Sequence, residues 1–210
     1  MVDVSTLGLF LVAVFALFIS PGPNMAFVLS HGISHGSRGG IAAAVGITTA
    51  DLILTLLTAT GFSAIIAAWP PSFDLLRYLG AMYLVWLAIK AIRSPGVAVV
   101  SAPGQTSMIR IFRMAMVNSL LNPKALLFFM VFLPQFVDES GGQIALQLAI
   151  LGATLSLAAL IFNGVLGVFS GSVGAFLNRR PRAAKYQAWF LGTILLSLAV
   201  RLLFLEKPSK

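Results

Sequence analysis

The chain has 210 residues, 59% hydrophobic and 10% charged, with a formal net charge of +8, two histidines and no cysteine. So few charged side chains cannot clothe a soluble domain of this length, whereas a surface facing lipid needs none. Without thiols there are no disulfides, thiolate metal sites or cysteine nucleophiles, and two histidines without an acidic cluster give no reason to expect a metal or any other cofactor.

Six apolar segments follow in chain order, at about 4–30, 41–68, 74–92, 114–136, 143–173 and 185–205. Each reaches the roughly 18 residues that mark a transmembrane helix. The opening MVDVSTLGLF lacks the basic region of a secretory signal peptide, so the first segment is expected to stay in the mature protein. The connections HGISHGSRGG, WPPSF, RSPGVAVVSAPGQTSMIRIFR, VDESGGQ and NRRPRAAKY are polar, charged or rich in Gly and Pro, as loops at a membrane surface are. The expected fold is an all-α integral membrane protein with six transmembrane helices in one transmembrane domain, 1–210. It divides into a three-helix half at 1–93, a cytoplasmic linker at 94–113 and a second three-helix half at 114–210.

Basic residues set the orientation. Arg38, Lys90, Arg93, Arg110, Arg113, Arg179, Arg180, Arg182 and Lys185 share one side, against Arg77, Arg201, Lys207 and Lys210 on the other. The positive-inside bias makes the richer side cytoplasmic, with both termini outside. The net positive charge is therefore loop charge and not a nucleic-acid interface, since nothing resembles a reading module.

Two segments carry their own breaker. FISPGPNMAFVL in the first holds Pro21, Gly22, Pro23 and Asn24, and NSLLNPKALLFF in the fourth holds Asn122, Pro123 and Lys124. A proline removes a backbone donor and clashes with the carbonyl one turn earlier. Lipid cannot satisfy the groups so freed. Pro23-Asn24 and Pro123-Lys124 occupy matching places, one in the first helix of each half. Three helices per half is an odd number, so the second half enters from the opposite side and a 3+3 inverted repeat with interrupted first and fourth helices is expected. In such transporters interrupted helices mark the binding site. The bland alternative is a pair of simple proline kinks.

Asp51 and Lys124 are the ionisable residues deep in apolar segments, each about ten residues, or roughly 15 Å, from a cytoplasmic start near Ile41 or Met114. A charge at that depth costs about 2.5–3.5 kcal/mol on insertion scales and is expected to face the bundle interior. The two could form a structural salt bridge, hold the two ends of a zwitterion, or let Asp51 carry a coupling proton. Thr48, Thr49, Thr55, Thr58 and Asn163 are the other intramembrane polar groups weighed for solute contact, against the ordinary alternative of bonding their own helix or a neighbour. Gly167 and Gly171 fit a G-x-x-x-G packing face.

Gly32-Ile33-Ser34-His35-Gly36 matches the G-x-S-x-G elbow of serine hydrolases. That chemistry needs a strand-turn-helix context and a separate base with its orienting acid. A short connection whose histidines are His31 and His35 supplies neither, so no enzyme is expected.

ISPGPNMAFVLSHGISHGSRGGIAAAVGI in the first half and NSLLNPKALLFFMVFLPQFV in the second resemble the bacterial amino-acid exporters of the lysine exporter and homoserine/threonine resistance (LysE/RhtB) superfamily, over nearly the whole chain. The resemblance implies a multi-pass protein of the bacterial cytoplasmic (inner) membrane that exports amino acids, coupled to protons, by antiport. It also implies that Pro21 to Asn24, Asp51, and Asn122 to Lys124 are the functional elements. Its partners would be an amino acid, protons, the bilayer and, in one reading, further copies of itself. The alternatives are a non-transporting scaffold or assembly component, a passive channel, and an exporter of another small polar solute.

Overall fold

The computed structural model describes residues 4–19, 22–69, 72–93, 106–138 and 141–173, with six further positions between 189 and 200. Pro21, most of the 94–113 linker and most of the sixth expected segment lie outside the described residues. Those described are all-helical, without a strand: α1 (Val4–Ile19), α2 (Pro23–Ala68), α3 (Ser72–Arg93), α4 (Met108–Leu120), α5 (Pro123–Leu127) and α6 (Ile144–Val168). A π turn at Phe128–Phe132 and a 3-10 turn at Leu133–Phe136 continue α5. Among the described residues, Pro23–Gly61 and Ile144–Val168 are long and apolar enough to cross a membrane, and Met108–Leu120 with Pro123–Phe136, bent by 53°, makes a third such stretch.

The connection expected at 31–40 is helical on both sides of one residue. Gly36, at φ 66° and ψ −169°, leaves helical geometry inside α2. Positive φ is open to glycine without steric cost, and here it reverses the chain. Residues 23–35 run antiparallel to α4, because His35 meets Thr106 while Asn24 meets Asn118 and Ser119. Residues 37–68 run parallel to α4, because Gly46 abuts Phe112 and Asp51 meets Ser119. α2 is therefore a hairpin of two arms that clasps α4 between them.

α1 packs on the far part of the second broken helix. Phe10 packs edge-on against Phe136, with ring centroids 5.2 Å apart, while Leu17 meets Lys124. The broken helix at 4–35 thus lies antiparallel to the broken helix at 108–136, break against break. α4 begins at Met108, six residues before the expected start of its segment and inside the stretch expected as linker. Its first turns expose Arg110 and Arg113 and bury Ile111, so a charge count places that boundary too late.

α6 runs antiparallel to the second arm of α2, in close contact at two levels. A Cβ on Gly40 would lie 2.5 Å from the Gly167 Cα, and one on Gly152 would run into the Thr55 side chain. The expected G-x-x-x-G face needs correcting on this point. Gly167 packs on Gly40 and Ser170 on Gly32, whereas a Cβ on Gly171 would meet nothing within 4 Å. Gly171 sits on the exposed side of its turn.

Two apolar clusters form the interior. One gathers Phe10, Val14, Leu54, Phe128, Phe132, Phe136, Leu148 and Leu155. The other gathers Met25, Val28, Leu29, Ile47, Ile111, Ala115 and Leu166. Along α2, Asp51 falls between Ile47 of the second and Leu54 of the first. Asn24 and Ser119 occupy the same intermediate level on their own helices.

Candidate functional site

The polar layer is built on the two breaks. α1 ends at Ile19 and α2 resumes with Pro23, and α4 ends at Leu120 and α5 resumes with Pro123. In both, proline takes the first helical position, where its missing N–H costs nothing and its fixed φ suits the helix. Asn122 caps α5, its Oδ1 accepting from the Lys124 backbone N–H at 3.0 Å. In the other break the Gly22 carbonyl accepts from the Ala26 N–H at 3.0 Å.

Across the breaks the asparagines hold each other. Asn24 Oδ1 accepts from Asn118 Nδ2 at 3.0 Å and from Asn122 Nδ2 at 3.1 Å, and Asn24 Nδ2 donates to Ser119 Oγ at 2.9 Å. Ser119, wholly buried, also hydrogen-bonds the Asp51 carboxylate. Both oxygen lone pairs of Asn24 and two further amides are thus engaged in one network. It links the first broken helix, the second arm of α2 and the second broken helix.

Lys124 is half-buried, and its Nζ donates to the Leu17 carbonyl at 2.8 Å. Leu17 lies in the last turn of α1, where carbonyls have no helical partner. A cation there also meets the negative end of the helix dipole.

A cavity of about 60 Å³ opens at this level. That is room for more than one water. Asn24, Asp51, Asn122, Lys124 and Asn163 supply its polar wall, and Gly22, Leu17, Phe18, Ile47, Phe128, Phe129, Leu155, Ala159 and Phe162 contribute to the rest. The arrangement is a small, largely apolar chamber with a carboxylate, an ammonium and three carboxamides facing in. The chemistry of this wall suits a solute that is polar at one end and apolar at the other.

Of the residues expected from the sequence, Gly22, Asn24, Asp51, Asn122 and Lys124 are brought together here. Pro23 and Pro123 begin the resumed helices beside them, and Pro21 lies outside the described residues. Three of the four threonines serve their own helix: Thr48 donates to the Ala44 carbonyl, Thr49 to Val45 and Thr55 to Asp51. The Thr58 hydroxyl is buried without a partner among the described residues. Ser34 is exposed and lies on helix, in residues 23–35 before the break at Gly36, so no strand-turn-helix elbow exists there.

Ser119 and Asn118 were not singled out from the sequence. Their signal was present: Asn122 lies four residues after Asn118 and three after Ser119, the two spacings that make neighbours on a helix surface.

The LysE type translocator family matches the chain over residues 15–206. The chain is 36% identical over 196 residues to a leucine efflux protein of Enterobacter sp. (strain 638), covering 92% of each sequence. It is 31% identical over 199 residues to leucine efflux proteins of Salmonella typhimurium (strain LT2) and Salmonella typhi, covering 94% of each. No solved structure matches.

Proposed function

The chain belongs to the LysE type translocator family, and on that premise we propose that it exports an amino acid with an apolar side chain from the bacterial cytoplasm, leucine being the first candidate. It is a multi-pass membrane transporter and not an enzyme. The observation that carries the substrate reading is the cavity at the crossing of the two broken helices, with opposite charges and amides in part of its wall and aromatic and aliphatic side chains in the rest. A zwitterion with an apolar side chain fits such a wall end for end. The similarity to leucine efflux proteins points to the same class of solute.

The full architecture in this proposal has six spans in two inverted halves, with the 94–113 linker on the cytoplasmic side and both termini outside, in the inner membrane. The antiparallel, break-against-break packing of residues 4–35 on residues 108–136 supports it, since an inverted repeat brings its first and fourth helices together in that way. One half rocks against the other, and the apolar clusters on either side of the polar layer close in turn. The solute's carboxylate meets Lys124 and the N-terminus of α2 at the break, and its ammonium meets Asp51. Asp51 also takes up the proton that drives export once the solute has left.

Cells loaded with leucine-containing dipeptides test this reading. Expression of the protein should raise the rate at which leucine appears outside, and collapse of the proton gradient should abolish the increase. Unchanged efflux of every amino acid, with the protein verified in the membrane, would remove the export function.

A further inference from the structure

Asn163 is the polar residue of the cavity wall that the surrounding network leaves unused. It is 6% exposed, lines the cavity with Leu155 and Ala159 on the same face of α6, and its amide has no hydrogen-bond partner among the described residues. Asn24 and Asn122 differ in this respect, because their side chains are spent on each other, on Asn118, on Ser119 and on the α5 cap. A buried amide with open donors and acceptors is costly unless something in the chamber answers it.

The register of α2 against α6 shows what Asn163 faces. Gly40 opposes Gly167 and Thr55 opposes Gly152, equal spacings that fix an antiparallel alignment. On that alignment Asp51 stands opposite Ser156 and Asn163 opposite Ala44. The backbone positions of Asp51 and Asn163 are therefore roughly 10 Å apart along the helix axes. Helical side chains lean toward the N-terminus of their own helix. In antiparallel helices that leaning brings Asp51 and Asn163 toward each other, into the same chamber.

We propose that Asn163 contacts the transported amino acid, its side-chain oxygen accepting from the α-ammonium group on the side opposite the Asp51 carboxylate. The inference rests on the amino-acid export reading above. An ammonium group has three donors and is held best by several acceptors at once. Lys124 and the start of α2 at the break draw the carboxylate to the other side of the chamber, which leaves the ammonium to α2 and α6. The neutral amide adds an acceptor without a second buried negative charge.

The test is competition in membrane vesicles that carry the full chain. Unlabelled leucine and its 2-hydroxy acid analogue, which lacks the ammonium group, compete against labelled leucine flux. The wild type should prefer leucine strongly. Asn163→Leu should raise the KM for leucine about tenfold, change the maximal rate less, and shrink the preference for leucine over the hydroxy analogue by a similar factor. Asn163→Gln, which keeps the carbonyl, should retain most of that preference. The ratio of the two inhibition constants does not depend on how much protein is inserted. If the leucine variant inserts poorly, Asn163→Ala only removes atoms and carries the same expectation. An unchanged ratio in Asn163→Leu or Asn163→Ala overturns the role of Asn163 and leaves export standing. Failure of the wild type to move any amino acid overturns the export reading and this inference with it.

Discussion

At the residue scale the polar layer sorts its members into those that hold it together and those that face the chamber. Ser119 is the joint, bonded to both Asn24 and Asp51. Ser119→Ala removes the hydroxyl that serves both, and a lost buried hydrogen bond costs about 1 kcal/mol in water and somewhat less in membrane interiors. We expect a lowered midpoint of thermal unfolding in detergent together with reduced flux. Asp51→Asn preserves shape and some hydrogen bonding but removes the charge. Export should fall by at least about tenfold, equivalent to about 1.4 kcal/mol of lost stabilisation, while membrane insertion, read by immunoblot of the membrane fraction, stays normal. Normal export by this variant would take Asp51 out of the mechanism. Lys124→Met tests the other charge. If the pair were a structural salt bridge alone, the double variant Asp51→Asn, Lys124→Met would regain activity, and we expect it to stay inactive.

Asp51 and Lys124 could be read from the sequence because a charge in an apolar run is conspicuous. Asn163 could only be weighed alongside the threonines, and Ser119 did not stand out at all, because serine and asparagine in a membrane helix are often satisfied locally. Only the crossing of the breaks shows that Ser119 bridges two helices and that Asn163 lines the cavity without a partner among the described residues.

At the element scale, two features decide how the helices meet. Gly36 turns α2 back on itself, and its φ of 66° is hostile to any side chain. Gly36→Ala should cost about 1–3 kcal/mol, seen as a lower unfolding midpoint even though a Cβ there would meet nothing within 4 Å. Gly40 marks the closest approach of α2 to α6. Gly40→Leu forces the helices apart, and overpacking of this kind costs about 1–3 kcal/mol. Gly171→Leu, on an open face, should leave the unfolding midpoint within error of wild type. Equal effects of the two leucine substitutions would contradict the packing described. The sequence pattern pointed to the Gly167 and Gly171 pair because spacing alone cannot tell which glycine of a run faces the neighbouring helix. The broken helices were legible for a firmer reason, since Pro23 and Pro123 in apolar runs leave the chain no unbroken alternative. The reversal at Gly36 was foreseen as a longer loop. A single left-handed glycine does the work of several residues there, and composition shows only that glycine is available.

At the scale of the whole molecule, a polar layer lies between two apolar clusters that contain none of its members. Each cluster draws on several helices, so opening either requires helices to move as units. The outward faces of α2 and α6 carry Leu52, Leu56, Leu157, Ile161 and Val165, exposed as lipid-facing residues are. Composition alone made this membrane character readable. What it could not supply was the depth at which the breaks meet, because that depends on how far each broken helix runs on either side of its proline.

In the proposed mechanism the cavity opens to one side of the membrane at a time. The chain has no cysteine, so a single introduced thiol can be followed without background. Ala159 lines the cavity between Leu155 and Asn163 on α6. The measurement is the labelling rate of Ala159→Cys by a membrane-impermeant thiol reagent applied from one face and then the other, with and without leucine. We expect labelling from each face, protection by leucine, and an opposite change at the two faces when the proton gradient is reversed. Labelling that proceeds at both faces in parallel under every gradient, or that no amino acid slows, would contradict that mechanism.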